Sequence, residues 1–238
     1  MKKIVVITDM RSPDALSCKA HLEGLGYQVE CVPENVCLWH EEELTAFAAP
    51  LEEGLLGVIH PAPPAIKGGI QTVTEEEWAL ARDEGAMAAW CVSKVFGGIL
   101  RKKKQGCVIY LNSIHAEKPV GLGALFSMGC GAVQMLNREF NQDYGPDFVR
   151  SYFIQRGIRQ DETYLQSNVS NLYYGVDLRY PERVYPKEGS LNGLLAFLLT
   201  DEAGVLSGSD LKADGGMTMY YNHRRAVEGR PYHVRSKE

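Results

Sequence analysis

The sequence has no paired cysteines, no long apolar run and no large excess of either charge. Six Cys among 238 residues stand singly, at 18, 31, 37, 91, 107 and 130. None forms a C-x-x-C pair or a metal-ligand spacing with His, so neither a metal site nor a redox dithiol is expected. Most lie in apolar stretches, which reads as buried, reduced thiols of a cytoplasmic protein. No segment approaches the ~20 apolar residues that span a bilayer. The apolar run 4–7 after Lys2-Lys3 is ended by Thr8-Asp9, too early for a signal-peptide core, and reads as a first strand. A net charge of −5 gives no global reason to expect nucleic acid. Repeats, low-complexity segments and flexible linkers are missing too.

What is present is ordinary globular chemistry, 45% hydrophobic and 23% charged, in a chain long enough for one large core. Short apolar runs alternate with longer helical patterns. Strands are predicted at 3–8, 27–32, 57–60, 107–112, 149–154 and 208–213. Pro61 is expected to cut off the third. Helices are predicted at 15–25, 41–51, 74–100, 125–144 and 191–199, the longest opened by a capping box at Thr74-Glu75-Glu76-Glu77. Strands alternating with helices predict an α/β fold: a single doubly wound, Rossmann-like domain, a parallel sheet with helices on both faces.

The stretch Ser113-Ile114-His115 … Phe126-Ser127-Met128-Gly129-Cys130 resembles the active-site segment of the short-chain dehydrogenase/reductase (SDR) family. Asn137-Arg138-Glu139-Phe140 … Tyr144-Gly145-Pro146 and Leu199-Thr200-Asp201 … Asp214-Gly215-Gly216 resemble its later scaffold motifs. The resemblance covers nearly the whole chain and implies an SDR-type domain over 1–216, followed by a basic C-terminal tail, 217–238.

At the functional positions the sequence departs from that family. The relay of Asn, Ser, Tyr and Lys falls on Gly85, Ser113, Phe126 and Cys130, so only the Ser remains. A phenol that shuttles a proton has become a ring that cannot, and the neighbouring ammonium has become a thiol. The phosphate loop T-G-x-x-x-G-x-G reads Thr8-Asp9-Met10-Arg11-Ser12-Pro13-Asp14-Ala15, with Asp9, Pro13 and Ala15 at the glycine positions. Carboxylates there repel a pyrophosphate, and Pro13 lacks a backbone donor. Arg11 reads as a solvated loop charge, the one group here able to attract phosphate. The N-N-A-G segment is His60-Pro61-Ala62-Pro63, and the usual Pro-Gly is Arg156-Gly157. His60 reads as a hydrogen-bonded structural residue. Between strands 2 and 4 of the family pattern the chain is short by about one helix and one strand.

These departures imply that no cofactor is expected, with weak residual NAD(P) affinity left open. The leading expectation is a catalytically inactive, SDR-like subunit assembling with an active dehydrogenase, as in the hydroxyacyl-CoA dehydrogenase of the benzylsuccinate pathway. Partners are then homologous SDR subunits, joined in a homo- or heterotetramer through helices 74–100 and 125–144, with no nucleic acid and no membrane. The first helix carries Trp78, Ala81, Ala86, Met87, Ala88, Ala89, Trp90 and Val95, the second Phe126, Met128, Gly129, Ala132, Val133, Met135, Leu136 and Phe140, in sets that suit either an interface or an internal core. Two alternatives remain: a binding or regulatory module using the old cleft, and an enzyme with rewired chemistry around Ser113, His115 and Cys130. Segment 163–186 matches the family's substrate lid in position and is rich in Tyr.

Overall fold

The computed structural model describes residues 3–119, 123–158 and 186–219. The lid segment 163–186, but for its last residue, and the tail from 220 lie outside the described residues. Six strands form one parallel sheet: β1 (Ile4–Ile7), β2 (Gln28–Cys31), β3 (Leu55–Pro61), β4 (Cys107–Ser113), β5 (Arg150–Arg156) and β6 (Asp210–Ala213). Their order across the sheet is β2-β1-β3-β4-β5-β6. The chain reverses direction across the sheet between β1 and β3, the switch point at which open α/β sheets carry their ligand crevice.

Period-two alternation sorts the side chains of each strand. Ile4 and Val6 of β1 join Val58, Val108, Tyr110 and Phe153 in one core. Val5 and Ile7 join Ile59, Ile109, Tyr152 and Ile154 in the other. The first core is covered by α2 (Glu41–Ala48), α4 (Ala88–Lys103) and α5 (Ala124–Tyr144). The second is covered by α1 (Pro13–Gly24) and α6 (Asn192–Leu198). With both faces buried, the central strands read as continuous apolar runs. One strand is absent between β2 and β3, so β2 is an edge and its four residues are only partly buried. This matches the shortened segment read from the sequence.

The third strand runs Leu55–Pro61, so it ends at Pro61 as expected, with Pro61 as its last residue and not the first beyond it. Pro lacks only the donor, and Ala62 N–H continues the ladder by donating to the Leu111 carbonyl at 2.8 Å. The long helix is not one regular helix. It comprises α3 (Glu75–Ala81), a π-turn (Arg82–Met87) and α4. The capping box at its start forms as expected, with Glu77 N–H donating to the Thr74 hydroxyl and Thr74 N–H to the Glu77 carboxylate.

Candidate functional site

The carboxyl ends of β1, β3, β4 and β5 bring Thr8, His60, Ser113 and Arg156 to one edge of the sheet. Gly85 lies on the π-turn, in the helical layer beside α5. A β-carbon placed on Gly85 would lie 3.8 Å from the Cα of Gly129, so the two helices cross at close range. Gly85, Phe126 and Cys130 line one narrow apolar cleft with Ala62, Leu125 and Val133. Asn112 and Glu84 supply its polar rim.

The groups along this cleft offer little proton chemistry near neutrality. Cys130 is buried, and burial, only partly opposed by the charge of Arg156, pushes its thiol up to about 12. It therefore stays protonated and behaves as a small apolar filler. Native-state alkylation is expected to modify the half-exposed Cys31 and Cys37 first, and Cys130 only after unfolding. Mass spectrometry of the labelled peptides checks this, and rapid native labelling of Cys130 would show a reactive thiol.

Ser113 caps the short turn Ile114–Ala116. Its Oγ lies 2.8 Å from His115 Nδ1 and also accepts from the His115 N–H at 3.4 Å. Its own N–H donates to the Asn112 side chain at 2.8 Å. The His115 ring stands edge-on to Phe126, with centroids 5.2 Å apart. Ser113 and His115 thus meet, as their spacing suggested, but both are buried and the contact doubles as a local cap.

His60 is fully enclosed. Its Nδ1 is 2.7 Å from the Thr8 hydroxyl, and its ring stands edge-on to Tyr110. Burial drives its pKa down to about 4, against a weaker upward pull from Asp9. It is a neutral, hydrogen-bonded member of the core.

Arg11 is an exposed loop charge, as expected, but it is ion-paired. Its guanidinium donates to both Asp9 oxygens, at 2.7 and 3.1 Å, and to both Glu84 oxygens, at 3.0 and 3.3 Å. Hydrogen bonding to Asp9 is the main reason its pKa is raised. Asp14, in the first turn of α1 and buried, pairs with Arg156 at 3.1 Å. Pro13 opens α1 and Ala15 is buried in the second core, so side chains occupy the turn where glycines would leave room.

Sequence reasoning missed Glu84 and the pairing role of Arg156. The close Asp9–Arg11 spacing signals an ion pair, but nothing local points from Arg11 to Glu84. It also missed Glu117, whose carboxylate accepts from Lys212 at 2.8 Å, Gln155 at 2.7 Å and Gln134 at 3.1 Å. Those donors, Lys212 foremost, pull it down to about 2. Among the described residues no group of three His, Cys, Asp or Glu could hold a metal, and no helix is long and apolar enough to cross a membrane.

The two helices named as interface candidates divide between core and surface. Ala88, Ala89, Val133 and Phe140 are buried. Trp78, Met87, Trp90, Met128, Ala132 and Met135 face outward. On α5 the outward residues recur at four- and three-residue steps, a single stripe.

Comparison with known proteins agrees with this architecture. A family profile described as enoyl-(acyl carrier protein) reductase matches residues 5–218. Glucose 1-dehydrogenase 2 of Bacillus subtilis is 21% identical over 146 residues, covering 61% of this chain and 57% of that protein. The chain thus spans under two thirds of that relative's length. The crystal structure of a short-chain dehydrogenase/reductase-family oxidoreductase from Burkholderia thailandensis superposes with a TM-score of 0.84 at 14% identity, over 98% of this chain and 100% of that one. A structure of ElxO with NADP bound superposes with a TM-score of 0.81 at 14% identity, over 92% and 100% of the respective chains.

Proposed function

This chain belongs to the short-chain dehydrogenase/reductase family, and we propose that within it the chain is a non-catalytic subunit. It assembles with an active family member, completes that oligomer and supports the partner's substrate site. One observation carries this reading. Of the four relay positions, Gly85, Phe126 and Cys130 line a single apolar cleft and present no group that exchanges a proton near neutrality. The fourth, Ser113, is engaged by His115.

The residues at the coenzyme position do not fit a dinucleotide. A pyrophosphate needs backbone donors and room at the start of α1. Here that turn carries the buried Asp14 carboxylate, with Asp9 buried beside it. Relatives that are dehydrogenases, and the relative with NADP bound, show what the fold can host; the residues that would do it are replaced here.

The outward stripe of Trp, Met and Ala on α4 and α5 supports the assembly half of the proposal, since Trp and Met are favoured and charge is disfavoured at interface centres. Six free thiols suit a cytoplasmic protein. The test is co-expression with family members that retain the relay Tyr and Lys, followed by affinity capture on this chain. A stoichiometric complex that catalyses NAD(P)-dependent turnover, beside an isolated chain that does not, is the expected result. A stable homo-oligomer that ignores every such partner, or turnover by the isolated chain, would overturn the reading.

A second reading draws on the 2.8 Å approach of Ser113 Oγ to His115 Nδ1, a nucleophile–base distance. It would require an activity lost in Ser113→Ala while the fold is kept.

A further inference from the structure

We propose that this chain fills its own dinucleotide channel: two internal ion-pair straps, Asp9–Arg11–Glu84 and Asp14–Arg156, hold the carboxyl edge of the sheet together in place of a bound coenzyme. The inference rests on the family assignment and is independent of the assembly reading.

The argument starts with α1. The first turn of a helix presents unpaired N–H groups and the positive end of the helix dipole, so it favours an anion. The N-cap residue Ser12 makes no side-chain capping bond. Asp14 brings a carboxylate of the chain's own into this turn, and only 4% of it is exposed. Its counter-ion comes from across the sheet. Arg156 ends β5, and β3 and β4 lie between β1 and β5. The ends of β1 and β5 are therefore on the order of 14 Å apart, and the Arg156–Asp14 pair at 3.1 Å bridges that span.

The second strap ties the same loop to the helical layer. Asp9 ends the first strand's extension, and its carboxylate is gripped by the Arg11 backbone N–H at 2.8 Å as well as by the guanidinium. The other edge of that guanidinium meets Glu84 on the π-turn. The β1–α1 loop is thus anchored to β5 by one strap and to the segment before α4 by the other.

The charge balance opposes a dinucleotide. Among the described residues, the carboxylates of Asp9, Glu84 and Asp14 already lie on the two arginines at this edge. Seating a phosphate on Arg11 or Arg156 displaces a carboxylate that is itself almost fully buried, leaving that anion uncompensated in a low-dielectric place. It also adds negative charge beside carboxylates that are already there. In this chain the ordering of the edge is intramolecular.

The experiment compares melting temperatures of the wild-type chain, the Asp9→Asn/Glu84→Gln double variant and Asp14→Asn. The probes are inorganic pyrophosphate, NAD and NADP at millimolar concentration and low ionic strength. The wild-type chain is expected to show no shift with any probe. The double variant, in which Arg11 keeps its charge but loses both carboxylates, is expected to gain pyrophosphate affinity at least tenfold, abolished by added salt. Asp14→Asn keeps the side-chain shape and is expected to gain the same response. A wild-type shift with NAD or NADP overturns the proposal, whatever the outcome of partner capture. So does a double variant that folds normally yet ignores pyrophosphate. If the double variant fails to fold, Asp14→Asn carries the test with the same two outcomes.

Discussion

Lowering the pH from 6.5 to 4 is expected to remove about 3 kcal/mol of folding stability through one ring, that of His60. In the unfolded chain the imidazole takes up its proton near 6.5; in the folded protein it does so only near 4. Between those values the unfolded state binds more protons, so acid favours unfolding. Above 6.5 the ring is neutral in both states and contributes no pH dependence. Below 4 both states are protonated and the penalty stops growing. The cause is burial, which withholds water from the cation while Asp9 only partly compensates. Glu117 acts in a lower window: held down to about 2, it loses its contribution as pH falls from about 4.5 toward 2. The measurement is denaturant-unfolding free energy across pH, for the wild type and His60→Gln. Gln keeps a polar partner for Thr8 but does not titrate, so its slope between 6.5 and 4 is expected to flatten. An unchanged slope in the variant would show that His60 is not the titrating group.

Replacing Trp90 and Met135 with Glu is expected to weaken subunit association by about 100-fold or more, roughly 3 kcal/mol, without unfolding the chain. The two side chains are 44% and 52% exposed in the single chain, so charge placed there stays solvated in the monomer. At a closed interface the same carboxylates lose their water and face an apolar surface. Lys94, whose Nζ lies 5.1 Å above the Trp90 ring and 2.6 Å from Glu41, marks the polar border of the stripe. Sedimentation of the wild type and the double variant, alone and with a captured partner, measures the effect. Association of equal strength in both would move the interface off these helices and leave the non-catalytic subunit reading without its surface. A monomeric variant with a native melting profile would place the interface on this face.

Much of this was legible in the chain itself. The order of strands and helices follows from apolar runs and helical periodicity. That Phe126 and Cys130 stand where the resemblance expects Tyr and Lys, and Asp9, Pro13 and Ala15 where it expects glycines, is a reading made residue by residue. So is the shortfall between the second and third strands, which the structure records as β2 left at the sheet edge. These are local or one-dimensional properties, fixed by residue type and spacing.

Tertiary structure decided what those residues do. Asp14 and Arg156 lie far apart in sequence and meet only because parallel strand order brings the ends of β1 and β5 to one edge. Arg11 and Glu84 meet because the long helix lays its π-turn beside the β1–α1 loop. That π-turn also explains why the outward stripe could not be read by continuing one helical period through 74–100. A π-turn holds an extra residue, rotating everything after it by about 100° relative to a regular helix. Composition could propose Trp78, Ala89, Trp90 and Val133 together as one surface. Only the packed helices could send Trp78 and Trp90 outward while burying Ala89 and Val133, because burial depends on what lies across from a residue.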